Sequence, residues 1–141
     1  MGASQTLFQM GQGRLHFLRG ELAQGRHWFR QGLKQAEAMG ATIQLLHSAL
    51  WLVRLALREA SKTPTLLRQR EAAHLYGVFL RLEELLQPQQ RYDYEEPLDD
   101  SLRQLEEALG TEIFQAERDR ALKYELAEAV LIPQLYPEET Q

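Results

Sequence analysis

The chain contains no cysteine. That excludes a disulfide framework and thiolate metal sites, and it fits a reducing, cytoplasmic setting. It also lacks a long uninterrupted apolar run. The richest stretch, Ile43 to Leu57, carries His47 and Arg54 within its fifteen residues, short of the roughly 18 that a membrane-spanning helix needs. The first residues, MGASQTLFQMGQGR, have no basic start leading into an apolar core, so they do not read as a secretory signal. Because the helical pattern is already under way at the first residues, the chain is expected to be a piece of a longer protein. Positive charge is scarce overall, with a formal net charge of −4, which argues against the sequence-independent phosphate attraction of a nucleic-acid binder. Strand alternation and Asn-Gly hairpin signals are missing throughout. What remains is an all-α chain.

With 141 residues, 44% hydrophobic and 26% charged, the chain has ordinary globular composition and the length of one domain. Charge is unevenly spread. Residues 1–60 hold seven Arg or Lys against three Glu, and residues 61–141 hold nine against seventeen acids. A basic first half and an acidic second half hint at head-to-tail packing, within a superhelix or between chains.

The stretch Ala41 to Ala60 organises the rest. Eleven of the fifteen residues from Ile43 to Leu57 are apolar, more than a helix covering a core with one face requires. At about 100° per residue, Gln44, His47, Arg54 and Arg58 fall within roughly 60° of one another, with Trp51 in the same band. Such a helix is expected to lie between neighbours and to meet water along this stripe.

Around it, Thr6–Leu18 forms a first helix with apolar residues at Leu7, Phe8, Met10, Leu15, Phe17 and Leu18, broken at Gly20-Glu21. Leu22, Gly25, Phe29, Gly32, Leu33 and Ala36 give the second helix a face of partly small residues, ended by Met39-Gly40 with glycine as cap. Ser61-Lys62-Thr63-Pro64 stops the central helix, with Pro64 expected in the first turn of the next. That helix, Thr65 to Gln87, is expected to bury Leu66, Ala72, Ala73, Tyr76, Phe79 and Leu80, with Leu82 or Leu86. Gln87 to Pro97 reads as a linker. Leu98, Leu102, Leu105 and Leu109 mark an amphipathic helix stopped by Gly110, its first turn loaded with Asp99 and Asp100. Thr111 is expected to cap a shorter helix with Ile113 and Phe114. A last helix near Tyr124–Leu131 should end at Pro133, leaving 133–141 as a frayed tail. The division is therefore two helix pairs over 1–87, a linker at 88–97, C-terminal helices over 98–132 packing on the pairs, and the tail.

Internal repetition follows from Gly13, His16, Gly20, Gly25, Phe29 and Gly32, which resemble a tetratricopeptide repeat: helix, tight turn, helix, small residues at the crossing. A second pair is offset by about 40 residues, with Ala60 at the place of Gly20 and Ala73 in the small-residue position; its enlarged turn, Ser61 to Leu67, departs from the strict repeat of about 34 residues. Further on, Arg70-Glu71-Ala72-Ala73-His74-Leu75-Tyr76-Gly77, Leu82-Glu83-Glu84-Leu85-Leu86, Leu105-Glu106-Glu107-Ala108-Leu109-Gly110-Thr111-Glu112-Ile113-Phe114 and Leu126-Ala127-Glu128-Ala129-Val130 follow in order. Together they resemble the C-terminal tetratricopeptide-like region of bacterial LuxR-type transcriptional regulators and related signal-transduction ATPases. The likeness runs from Gly13 to Val130 and departs at Glu117-Arg118-Asp119, charged where a Trp is common. It implies antiparallel helix pairs stacked as a short right-handed superhelix that senses or docks within a regulator, while ATPase and DNA-binding activities belong to other domains. No G-x-x-x-x-G-K-[ST] loop or basic recognition helix occurs here. Gly11-Gln12-Gly13 reads as close helix packing.

In such a stack the first helix of each pair lines a groove, which the resemblance places at Leu7, Met10, Arg14 and Phe17 and at His47, Leu50, Arg54 and Arg58. The candidate binding residues are accordingly Arg14, Phe17, His47, Trp51, Arg54 and Arg58. Guanidinium groups beside aromatic rings suit a ligand with a carboxylate or phosphate and an apolar part; equally, they could be solvated or paired with acids of the second half. The expected partner is a protein or peptide, other domains of the parent regulator, or a small anionic ligand, with no nucleic acid, membrane or cofactor. His16, His27, His47 and His74 have no metal-ligand spacing, and the acids of 93–100 lack the central glycine of a calcium loop. Trp28 is expected either against a neighbouring helix or in an exposed patch joining two copies. No nucleophile–base pair or carboxylate dyad appears, so no catalysis is expected; an enzyme would need a closed pocket with convergent polar groups. The alternative function is a structural spacer or homo-oligomerisation unit.

Overall fold

A computed structural model describes residues 2–87 and 98–136, with side chains from residue 5 onward. Among the described residues there is no strand. Seven α-helices follow in order: α1 (Gly2–Leu18), α2 (Leu22–Met39), α3 (Thr42–Lys62), α4 (Leu66–Leu86), α5 (Asp99–Leu109), α6 (Thr111–Asp119) and α7 (Leu126–Leu135), with a 3-10 turn at Arg120–Lys123 before the last. The expected linker at 88–97 lies outside the described residues, as does 137–141 of the tail.

The first four helices are joined by tight turns, each packing on the one before. Gly20, at φ 78°, and Gly40, at φ 65°, make the first two turns in the left-handed region that side chains resist. Where α1 crosses α2, a Cβ on Gly13 would sit 2.5 Å from the Phe29 ring. The small-residue face of α2 is buried as expected, at Gly25, Phe29, Gly32, Leu33 and Ala36. Helix α3 is buried on most of its girth between α2 and α4, with Leu46, Leu52 and Leu55 fully enclosed.

Several boundaries differ from expectation. Helix α3 runs on to Lys62, so Pro64 falls between its cap Thr63 and Thr65, which caps α4 by accepting the Arg68 N–H at 3.2 Å. Pro64 therefore precedes the helix instead of standing in its first turn. Gly110, and not Thr111, is the N-cap of α6: its N–H closes α5 on Glu106 and its carbonyl opens α6 to Phe114. Pro133 lies inside α7, its ring buried. The helix begins at Leu126, at a capping box of Glu125 and Glu128, and the single backbone bond a late proline forfeits does not undo it.

Helix α4 has two buried sides. Ala73, Leu75, Phe79 and Leu82 belong to the core cluster that α3 shares, while Gly77 lies under α6. A Cβ on Gly77 would stand 2.1 Å from the Arg118 carbonyl oxygen, so α6 crosses α4 backbone to backbone there. Leu66 and Leu80 are exposed, against expectation. Helix α5 packs beside α3 and α4, and α7 lies across α2 and α4. Of the residues expected to fray, 133–136 are held down: Tyr136 is buried and donates its hydroxyl to Glu59 at 2.9 Å, while Arg26 reaches the other oxygen of the same carboxylate. Gln134 joins in, donating to Glu37 at 3.1 Å.

Candidate functional site

Trp51 is the hub of the region singled out from sequence. Its ring stacks on Phe29 at 5.5 Å and 23°, and meets Phe17 edge-on at 5.6 Å. The guanidinium carbons of Arg14 and Arg54 stand 5.2 Å and 5.0 Å from its centre, and that of Arg58 stands 4.8 Å from the Phe17 ring. Five of the six candidate residues thus form one cluster where α1 meets α3. Cation–ring contacts of this kind hold guanidinium planes in place.

The expected open stripe is not what forms. Arg54 is only 7% exposed and Phe17 equally buried, Trp51, Arg14 and His47 are half-buried, and Arg58 alone faces water. Two things close the stripe: α1 covers Trp51 through Phe17, and α5 packs along α3 further on. His47 stands two turns before Arg54 on α3, outside the cleft described next. Leu7, placed in the groove by the resemblance, points out to solvent, whereas Met10 and Leu50 are buried.

What the fold makes of this region is a cleft of about 320 Å³ between the end of α3 and α5. Phe17, Arg54, Leu57 and Arg58 form one wall, Leu98 with Ser101, Gln104, Leu105 and Ala108 of α5 the other, and Ser61, Pro64 and Gln69 the end. Arg58 makes no ion pair among the described residues. Two guanidinium groups, apolar surface from Phe17, Leu57 and Leu105, and hydroxyl and amide groups opposite make a place for an anion with an apolar body. The α5 wall was not recognised from sequence as part of the site; its Ser101 and Gln104, on an otherwise leucine-faced helix, were the only signal available.

A second cleft, of about 330 Å³, lies between α4 and the C-terminal segment, lined by Leu67, Leu75, Ile132 and Leu135 with Arg70, His74, Glu117 and Tyr124. Its polar groups serve one another. Tyr124 and His74 share a hydrogen bond of 3.1 Å, Glu117 pairs with Arg120 at 2.5 Å and with Arg70 at 3.8 Å, and Arg81 donates to the Tyr124 carbonyl at 2.8 Å. This network secures the 3-10 turn against α4. No group of three or more metal-binding side chains occurs among the described residues, and none of the described helices is long and apolar enough to cross a membrane. Burial raises the Tyr136 hydroxyl well above its usual range, and the Glu59 carboxylate it binds adds to the effect.

Compared with protein-family models, curated proteins and solved structures, the chain matches none.

Proposed function

We propose that this chain is a protein-interaction or ligand-sensing module with no catalysis of its own, working in the cytoplasm within a bacterial transcriptional or signalling regulator. In this reading α1–α4 are two tetratricopeptide-like pairs of a right-handed superhelix, in the manner of LuxR-type regulators and related signal-transduction ATPases. Tight turns, glycines at the α1–α2 crossing and the motif order from Arg70 to Val130 support it. The observation that carries the binding role is the convergence of Arg54, Arg58 and Phe17 on the cleft between α3 and α5. A forked donor pair beside an aromatic ring and leucine side chains recognises a carboxylate or phosphate attached to an apolar group. The ligand can be a free small molecule or an acidic side chain of a partner, because the chemistry is shared.

Arg58 is the residue to change, since it is exposed and Arg54 is packed on Trp51. The wild-type chain and Arg58→Glu are melted with inorganic phosphate, benzoate, octanoate and a nucleoside monophosphate in turn. An anion with an apolar group should raise the wild-type midpoint and leave that of Arg58→Glu unmoved, with helical content equal in both. Equal shifts in the two proteins, or none for any anion, would remove the cleft from consideration.

The alternative, a spacer or oligomerisation unit, is favoured by a different observation: large apolar side chains on α1 left exposed, Leu7, Phe8 and Leu18 among them. Sedimentation across a concentration series separates the two readings, because a strict monomer disfavours self-assembly.

A further inference from the structure

Helix α5 is acidic, with Asp99, Asp100, Glu106 and Glu107 among its eleven residues, yet none of the four lines the cleft against α3. Toward Arg54 and Arg58 the helix turns Ser101, Gln104, Leu105 and Ala108 instead. Elsewhere the arginines of this fold are met by acids: Arg26 by Glu59, Arg70 and Arg120 by Glu117, Arg81 by Glu84, and Arg103, on α5 itself, by Asp100. If α5 lay against α3 for stability alone, the same pairing would be expected here, because opposite charges brought together in a partly dry cleft attract more strongly than in water. Among the described residues that line the cleft there is no acid.

Arg54 and Arg58 stand one helical turn apart on α3, a spacing at which like charges repel. Each is nonetheless fixed in place by an aromatic ring, the buried Arg54 by Trp51 and Arg58 by Phe17. A cleft that holds two neighbouring guanidinium groups and turns acids away is built for two negative charges. A carboxylate carries one charge on two oxygens, which a single guanidinium fork satisfies. A phosphate monoester carries close to two charges at neutral pH on three terminal oxygens, enough for both forks. A phosphate diester, the form found in a nucleic-acid backbone, again carries one. The cleft, at about 320 Å³, lies at the small end of the range for ligand sites, so the esterified group is compact, and Phe17, Leu57 and Leu105 make its surroundings apolar.

We infer that the ligand of this cleft is a phosphate monoester of a compact apolar or aromatic group, its dianionic head shared between Arg54 and Arg58. The inference rests on the reading of the cleft as an anion site and sharpens it to one head group. The chemistry is the same whether the monoester is a free small molecule or a phosphorylated tyrosine side chain of a partner.

Phenyl phosphate, its methyl diester and benzoate present one and the same ring with two, one and one negative charges at about pH 7.5. Their dissociation constants for the whole chain are read from proton NMR titrations. Phenyl phosphate should bind about tenfold or more tightly than either monoanion, since only it engages both forks. Arg58→Gln should bring phenyl phosphate down to the level of benzoate. Gln104→Glu, which sets an acid opposite the two cations, should weaken phenyl phosphate by about tenfold through like-charge repulsion. Both positions are exposed, and far-UV circular dichroism with melting confirms that each variant folds. A capped tripeptide centred on phosphotyrosine separates the sources: tighter binding than phenyl phosphate assigns the monoester to a partner chain, weaker binding to a free molecule. Benzoate or the diester binding as tightly as phenyl phosphate, with loss in Arg58→Gln, overturns the inference and leaves the anion site standing. Phenyl phosphate binding that neither substitution weakens overturns it as well, and no binding of any of the three removes the site itself.

Discussion

Gly77 shows how much a single position decides. The Arg118 carbonyl occupies the space a methyl group would need, so Gly77→Ala must push α6 off α4 or strain both backbones. Overpacking of this kind costs about 1–3 kcal/mol, with backbone contacts at the upper end, and a thermal midpoint lowered by several degrees should report it. Tyr136 gives a prediction in pH. Its hydroxyl, buried against Glu59, keeps its proton in the folded chain above the ordinary value of 10.0, where an unfolded tyrosine ionises. Stability from this group is therefore fully present below pH 10 and declines as pH rises above it. Tyr136→Phe should lower stability at neutral pH by about 1.5–3 kcal/mol, the range for hydrogen bonds to charged groups. The same variant should flatten the decline above pH 10, measured by urea titration at several pH values; Tyr76, raised in the same direction mainly by burial, contributes to the slope that remains.

At the scale of elements, α3 is the helix on which the others depend. Leu52 and Leu55 are fully enclosed between neighbours, so replacing either by alanine should cost about 2–5 kcal/mol through lost burial and an unfilled cavity. Leu18→Ala on the outer side of α1 removes the same atoms from a residue in water and should stay within about 0.5 kcal/mol. Chemical denaturation of the three variants compares the two faces directly. The apolar surplus of Ile43 to Leu57 identified this helix without any structure, because a helix apolar on most of its girth has only one stable place. Its polar stripe was legible as a grouping but not as a surface. Arg54 and Trp51 lie where the pattern puts them, yet Phe17 and α5 cover what the pattern left open.

For the whole molecule, the C-terminal segment is what closes the structure. Helix α7 buries Ala129, Val130 and Pro133 across α2 and α4, and Tyr136 and Gln134 tie it to Glu59 and Glu37. A chain ending at Lys123 should lose roughly 4 kcal/mol or more, summed over one valine, one tyrosine and two hydrogen bonds. Its melting midpoint should fall by more than about 8 °C, at about 2–4 °C per kcal/mol for a chain of this size. A truncated chain melting within a few degrees of the full one would show that α7 is only laid on the surface. The same closure explains why residues 133–136 do not fray as expected: proline suits a free end, but what holds Tyr136 is a carboxylate 77 residues earlier in the chain.

Local chemistry alone determined that the chain is helical, where most helices begin and end, and which of them is central. Periodicity, glycine and capping residues act within a turn or two of themselves, and those ranges are short enough to be read directly. Only the tertiary structure decided that α5 completes the cleft, that Gly77 receives a backbone, that Pro133 stays inside its helix and that α1 turns an apolar face outward. Each of these depends on which distant surface arrives at a given side. Residues 40 to 100 apart in the chain meet there, and no spacing along one helix encodes that meeting.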